Sequence, residues 1–264
     1  MPHAGVEAIR AFLAEANLLS GPLEDQRAAM DAAAAGAPPP EGVGVEAVTL
    51  AGRPAEWLVP ADADRDAAVL YFHGGGYFSG SLDSHRGIAG RIARAAGVPV
   101  VSLGYRLAPE DPYPAAVEDA VAAYRALFDA GLDPSRLAVA GDSAGGGLTV
   151  ATLVTLRSEG TPLPAAAVCL SPWVDLTQSA PSYEEVGAGD PMVSKQELDP
   201  WLPPTWGRPT RATPPRRRSS PTSRACPRSG SRWGASRCCA TTPSDWPSGP
   251  RRPGWPSSWS SGRT

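Results

Sequence analysis

The chain has 264 residues, of which 42% are hydrophobic, so it is long enough to bury a sheet between helices in one main domain. It holds no run of about 18 apolar residues that could cross a membrane. Its first residues also lack the basic and apolar parts of a signal peptide. We therefore expect a soluble, cytoplasmic protein with no stable membrane insertion.

The net charge of −3 conceals two segments of opposite charge. Residues 1–199 carry 12 basic and 26 acidic residues, whereas residues 200–264 carry 12 arginines and one acid, Asp245. The second segment also holds 13 prolines, 12 serines and six of the eight tryptophans. This composition predicts an irregular, aberrant tail. A basic, tryptophan-rich tail is compatible with nucleic-acid binding, but no motif supports it, and we expect no nucleic-acid partner.

The four cysteines offer neither the spacing of a disulfide framework nor a CxxC metal pair; they are Cys169, Cys226, Cys238 and Cys239. We expect reduced thiols and no metal site.

The N-terminal part of the chain is predicted to be helical. Residues 4–19 place apolar side chains at helical spacing, and a second helical pattern covers residues 26–35. A glycine- and proline-rich run at residues 36–40 then breaks the pattern. We interpret residues 1–44 as a small helical cap.

Residues 45–199 alternate short apolar runs with helical patterns. The predicted strands cover residues 45–50, 56–60, 67–72, 98–103, 137–140 and 165–170, and the predicted helices cover residues 86–96, 115–130 and 146–158. Strands rich in Val, Leu and Ala that alternate with helices indicate a mostly parallel sheet with helices on both faces. The sequence therefore predicts an α/β core.

One predicted strand runs directly into the pentapeptide Gly-Asp-Ser-Ala-Gly, residues 141–145, and a helix pattern follows at once. Glycines two residues before and after Ser143 leave room for a sharp turn that presents the serine Oγ above the sheet. The helix that follows directs its free N–H groups at developing negative charge. An ordinary glycine-rich turn is the alternative. The context favours Ser143 as the nucleophile of acyl transfer, with the Ala144 amide as an oxyanion donor.

A second predicted strand ends in His73, which three glycines follow. Consecutive glycines let backbone N–H groups approach an oxyanion without interference from side chains. We predict that Gly74 and Gly75 complete the oxyanion hole. His73 is a candidate base, but we favour a supporting role in which it orders the glycine loop by hydrogen bonds. In hydrolases of this chain order, the base follows the nucleophile.

With these motifs the sequence resembles the hormone-sensitive-lipase-like group of α/β-hydrolases, bacterial carboxylesterases whose nucleophile motif reads GDSAGG. The likeness covers residues 5–199, with further agreements at residues 80–85, 105–110, 112–119 and 171–176. It implies the α/β-hydrolase fold with eight largely parallel strands, a helical cap over an acyl pocket, and no cofactor. It also implies short-chain acyl or aryl esters as substrates, and it leaves a homodimer open.

The resemblance fails where the remaining triad residues should follow Ser143. The family order is Ser, acid, His, but all three histidines precede the nucleophile, namely His3, His73 and His85. Asp142 beside the nucleophile is expected to support the turn. We expect this chain to keep the nucleophile and oxyanion hole, to lack the base, and to hydrolyse esters feebly.

The family-like sequence and its apolar periodicity end abruptly near Asp199, and a change of reading frame there is the explanation that we favour. With GC-rich codons, a frame offset by two nucleotides reads as family-like sequence over residues 201–212. At the same offset, residues 237–248 read as an amphipathic helix. A diverged tail is the alternative. Two other functional interpretations stay open: a catalytically inactive small-ligand binding protein, and a product that folds poorly because its sheet has an open edge.

Overall fold

The computed structural model describes residues 4–16, 18, 21–185, 189, 190, 193 and 198. The chain divides into two compact units, Met1–Arg208 and Pro209–Thr264, and the described residues all belong to the first. The tail predicted over residues 200–264 lies outside the described residues. Among the described helices, none has the length and apolar character needed to span a bilayer.

Strands and helices alternate along the described chain. The strands are β1 (Val43–Leu50), β2 (Arg53–Pro60), β3 (Ala68–Phe72), β4 (Val100–Leu103), β5 (Leu137–Asp142) and β6 (Ala166–Leu170). The helices are α1 (Ala4–Ala16), α2 (Leu23–Ala34), α3 (Leu82–Ala96), α4 (Ala115–Asp129), α5 (Ala144–Ser158) and α6 (Ser182–Glu185). A short 3₁₀ turn covers Pro134–Arg136.

The strands form one sheet in the order β1-β2-β4-β3-β5-β6. The four strands β4, β3, β5 and β6 pair in parallel, whereas β1 pairs with β2, and β2 with β4, in antiparallel register. The β1–β2 join is a two-residue hairpin in which Ala51 and Gly52 both have positive φ, as a type I′ turn requires. The mostly parallel α/β sheet predicted from the sequence is confirmed, and the described residues contain six of the eight strands that the resemblance implies.

Every residue of β3 and of β4 is buried. Because side chains alternate between the two faces of a strand, this burial requires cover on both faces of the sheet. One buried cluster joins strand residues to small residues of α3, and its members are Leu58, Val69, Tyr71, Ala89, Ala93, Val100 and Ala140. The centre of the sheet is therefore a rigid base for the loops at its carboxyl edge.

Helix α3 begins at Leu82, four residues before its predicted start. The Ser81 hydroxyl accepts the Ser84 amide, and the Ser84 hydroxyl accepts the Ser81 amide, which is a reciprocal capping box. The prediction followed the apolar period and missed this cap, whose residues are polar.

The proline-rich linker after α2 lies against α3. A Cβ atom added at Gly87 would overlap the carbonyl oxygen of Ala37, and one added at Gly90 would lie 2.9 Å from the Cβ of Pro39. The two glycines of α3 therefore make a shallow groove that receives residues 37–40.

Candidate active site

Ser143 is the single residue between β5 and α5, because β5 ends at Asp142 and α5 begins at Ala144. Its φ of 50° and ψ of −118° are strained for a residue with a side chain. The Ser143 amide donates to the Leu170 carbonyl at 2.9 Å, and the Ser143 carbonyl accepts the Trp173 amide at 2.8 Å. These bonds hold the strained turn from both sides.

The glycines on either side of Ser143 are required by crowding at the end of β3. A Cβ atom on Gly145 would overlap the carbonyl oxygen of Phe72, and one on Gly141 would overlap the carbonyl oxygen of Gly145. The start of α5 therefore packs directly on the strand that leads into the glycine loop.

The Ser143 side chain is half-buried, and within the described part of the chain its Oγ has no hydrogen-bond partner. His3 lies outside the described residues. His73 and His85 make hydrogen bonds to other groups, given below. The described residues therefore supply Ser143 with no bonded base.

His73 is 1% exposed and packs on the Tyr105 ring, with ring centroids 4.3 Å apart. Its Nδ1 donates to the Gly74 carbonyl at 2.7 Å, which assigns the proton to Nδ1 because a carbonyl only accepts. Burial lowers the pKa of His73 from 6.5 to about 4, and the neighbouring His85 adds to the effect. A neutral His73 that orders the glycine loop matches the favoured interpretation of this residue.

Asp142 connects three elements around the nucleophile. Its Oδ1 accepts the Tyr71 hydroxyl at 2.6 Å and the Gly74 amide at 3.0 Å. Its Oδ2 lies 3.4 Å from His85 Nε2. Burial raises the pKa of Asp142, but the interactions with His85 and Tyr71 outweigh it, so the pKa lies below its ordinary value. Asp142 is thus an anionic bridge, consistent with the supporting role expected of it.

Gly74, which the sequence predicts as an oxyanion donor, is bonded to Asp142 in this structure. Its amide donates to the carboxylate at 3.0 Å and is also directed at His85 Nε2, 3.2 Å away. Gly74 must still be glycine, because a Cβ atom there would overlap Asp142 Oδ2. Gly74 therefore belongs to the scaffold of the glycine loop.

Three other backbone amides near Ser143 have no hydrogen-bond acceptor among the described residues. Within the described part of the chain, the N–H groups of Gly75, Gly76 and Ala144 donate to no acceptor. The conformation of Gly75, with φ of 114°, is open only to glycine. Gly75 and Ala144 were predicted as donors, whereas Gly76 was overlooked because the sequence does not show which of three successive amides is free.

A small, largely apolar cavity lies beside the glycine loop. Its lining includes Tyr77 from that loop, Val117 from α4, Ala151 from α5 and Leu176. Tyr77 also borders the helix that follows the nucleophile, since a Cβ atom on Gly147 would lie 2.9 Å from its hydroxyl. Pocket-lining residues could not be placed from the sequence, because they come from four separate segments.

Comparison with known proteins decides the family. A family model described as alpha/beta hydrolase fold matches residues 69–228, which is more than half of the chain. The chain belongs to this family. The likeness to hormone-sensitive-lipase-like esterases is also confirmed.

An acetyl-hydrolase of Streptomyces hygroscopicus is 46% identical over 184 residues, which cover 68% of this chain and 60% of that protein. Carboxylesterase NlhH of Mycobacterium tuberculosis is 40% identical over 147 residues, covering 54% of this chain and 46% of that protein. The crystal structure of an esterase from the bacterial hormone-sensitive lipase family has a TM-score of 0.73 and 43% identity. That match covers 76% of this α/β-hydrolase chain and 69% of the esterase. The chain thus spans 60% or less of the two curated relatives.

Proposed function

We propose that this α/β-hydrolase is a serine carboxylic ester hydrolase that forms an acyl-enzyme at Ser143. The observation that carries the proposal is the strained turn that places Ser143 at the head of α5, with the uncommitted Ala144 amide directly after it. The names of the relatives, acetyl-hydrolase and carboxylesterase, support the same chemistry. The apolar cavity beside Tyr77 suits a short acyl or aryl group.

In the proposed reaction, Ser143 Oγ attacks the ester carbonyl carbon and its proton passes to a base. The carbonyl π electrons move to oxygen, and the amides of Gly75, Gly76 and Ala144 stabilise that oxyanion. The oxyanion collapses, the alcohol leaves with a proton, and the acyl group stays on Ser143. Water then attacks the acyl-enzyme and releases the acid. No cofactor takes part.

The base is the missing component. All three histidines of the chain precede Ser143, and His73 is neutral, buried and bonded to the glycine loop. We propose that the chain is therefore an impaired esterase. The nucleophile and the oxyanion donors alone support roughly 10³ to 10⁴ of acceleration over water in enzymes that lose a triad residue.

Acylation of Ser143 tests the proposal without requiring turnover. Incubation with p-nitrophenyl acetate should add the mass of one acetyl group to the intact protein, on the peptide that contains Ser143. The Ser143→Ala variant should remain unmodified there. Acetylation that is equal in both proteins, or that falls only on lysines, would overturn the assignment of the nucleophile.

The alternative is a small-ligand binding protein without catalysis, and the largely apolar cavity beside Tyr77 favours it. Short aryl esters and the corresponding acids should then raise the melting temperature equally, with no acetylation of Ser143. A cytoplasmic location and a homodimer stay predictions from the sequence.

A further inference from the structure

Helix α2 holds the segment that follows the glycine loop through one arginine. Arg27 Nε donates to the Phe78 carbonyl at 2.8 Å, and its NH2 group donates to the Ala108 carbonyl at 3.0 Å. The same guanidinium makes two bonds of 2.8 Å to the Glu110 carboxylate. The Arg27 side chain thus connects α2 both to Phe78, which follows the glycine loop, and to the segment that contains Ala108 and Glu110.

A second contact lies one turn further along α2. The Ser81 hydroxyl donates to Asp31 Oδ1 at 2.5 Å while it also caps α3. Arg27 and Asp31 are four residues apart, so they lie on one face of α2. That face is attached to residues 78–81 at both ends.

Residues 78–81 are in turn bonded to the oxyanion loop. The Gly75 carbonyl accepts the amides of Phe78 and Ser79 at 3.1 and 2.8 Å, and it accepts the Ser79 hydroxyl at 2.9 Å. A Cβ atom on Gly75 would overlap the Ser79 carbonyl, so the backbones of the two segments are packed in direct contact. A displacement of Phe78 or Ser79 must therefore move the Gly75 peptide.

We propose that Arg27 and Asp31 are positioning residues, through which α2 sets the orientation of the Gly75 and Gly76 amides toward an oxyanion at Ser143. The inference rests on the proposed function for the meaning of that orientation. It assigns the N-terminal cap a role in the chemical step, in addition to covering a pocket. Neither side chain touches the substrate; both act through residues 78–81.

The four bonds of Arg27 are not equivalent. Its pairing with Glu110 lies at the surface, where the side chains are 28% and 57% exposed, and solvent screens such a pair. The bonds to the Phe78 and Ala108 carbonyls are part-buried and reach the loop segment itself. Removing Glu110 should therefore disturb the loop less than removing Arg27.

Hydrogen exchange of the full chain, read by mass spectrometry on the peptide covering residues 73–81, tests the proposal directly. Arg27→Gln and Asp31→Asn should each speed exchange in this peptide by about tenfold, whereas Glu110→Gln should change it less than Arg27→Gln. Arg27→Lys should fall between wild type and Arg27→Gln, because one ammonium group cannot reach all three acceptors. The matched control is Arg125→Gln, which breaks the ion pair between Arg125 of α4 and Glu159, the residue after α5, and should leave the peptide unchanged.

Acylation of Ser143 by p-nitrophenyl acetate gives the second readout. The Arg27→Gln variant should lower the maximal acylation rate by about tenfold and leave the half-saturating ester concentration unchanged, since oxyanion stabilisation acts in the transition state. The proposal would be overturned if Arg27→Gln and Asp31→Asn raised exchange in β4 and β5 as much as in residues 73–81. It would also be overturned if exchange in residues 73–81 stayed at the wild-type rate. If wild type is not acylated at all, the proposed function fails, and the exchange experiment still decides whether α2 orders the loop.

Discussion

The Asp142 carboxylate accepts the Gly74 amide at 3.0 Å, and this bond joins the residue before Ser143 to the glycine loop. The same oxygen accepts the Tyr71 hydroxyl at 2.6 Å. These two hydrogen bonds therefore connect the neighbouring strands β3 and β5 at their carboxyl ends. The Asp142 side chain thus connects the Ser143 turn to the glycine loop.

Replacing Asp142 tests that dependence. Asp142→Ala should lower the free energy of unfolding by about 2 to 4 kcal/mol, because two donors lose a charged acceptor in a part-buried position. Asp142→Asn keeps an acceptor oxygen and should lose less. Urea denaturation measures both, and the exposed Asp62→Asn is the control, with an expected change below about 1 kcal/mol. Equal stabilities of the Asp142 and Asp62 variants would contradict the bridging role.

The glycine after the nucleophile should tolerate no side chain. Gly145→Ala drives a methyl group into the carbonyl oxygens of Phe72 and His73 and should cost about 3 kcal/mol or prevent folding. At Gly36 a Cβ atom meets nothing within 4 Å, so Gly36→Ala should change stability by less than about 0.5 kcal/mol. Thermal unfolding distinguishes the two variants. A Gly145→Ala protein as stable as Gly36→Ala would refute the packing of α5 on β3.

Protonation of His73 should weaken the fold in mild acid. Its pKa is about 4 in the folded chain and 6.5 ordinarily, so the unfolded chain binds the proton first and stability falls as the pH drops from 6.5 toward 4. The slope is at most about 1.4 kcal/mol per pH unit and totals about 3 kcal/mol. His73→Asn keeps a donor for the Gly74 carbonyl and does not titrate. Urea unfolding between pH 7 and 4 should therefore fall more steeply for wild type, and parallel curves would contradict the buried, neutral assignment.

If the proposed function is right, a small base in solution should raise the rate of ester hydrolysis. Because Ser143 Oγ has no bonded partner among the described residues, free-base imidazole should accelerate p-nitrophenyl acetate hydrolysis by the chain. Imidazole alone also cleaves this ester, so the Ser143→Ala variant gives the background rate. An imidazole response equal in both proteins would count against Ser143 as the nucleophile.

The reading frame after Asp199 can be tested at the level of the gene. Sequencing the codons for residues 199–206 should reveal an insertion or deletion relative to the frame offset by two nucleotides. A chain translated in that offset frame after Asp199, and extended to the next in-frame stop, should gain several orders of magnitude in ester hydrolysis, because the triad acid and histidine return together and act as a unit. Ser143→Ala should then remove the gain. An offset chain with no gain would favour a genuinely diverged tail.

Periodicity and turn residues predicted all six described strands and the helices α3, α4 and α5 of the core, because each of these elements carries its own apolar pattern. The short helix α6 was not predicted. Two features could not be predicted, since they depend on residues distant in the chain. Gly74 and Asp142 are 68 residues apart, and only the fold brings the amide to the carboxylate. Arg27 lies 51 residues before Phe78, in a helix whose sequence indicated only a cap.

Residues 37–40, which link the cap to the core, are packed into the groove that Gly87 and Gly90 form on α3. A glycine- and proline-rich run of this kind is ordinarily a tether and a site of proteolytic nicking. Here the chain is seated on Gly87 and Gly90, with no space for a side chain beneath it. The cap should therefore resist detachment by limited proteolysis between α2 and β1.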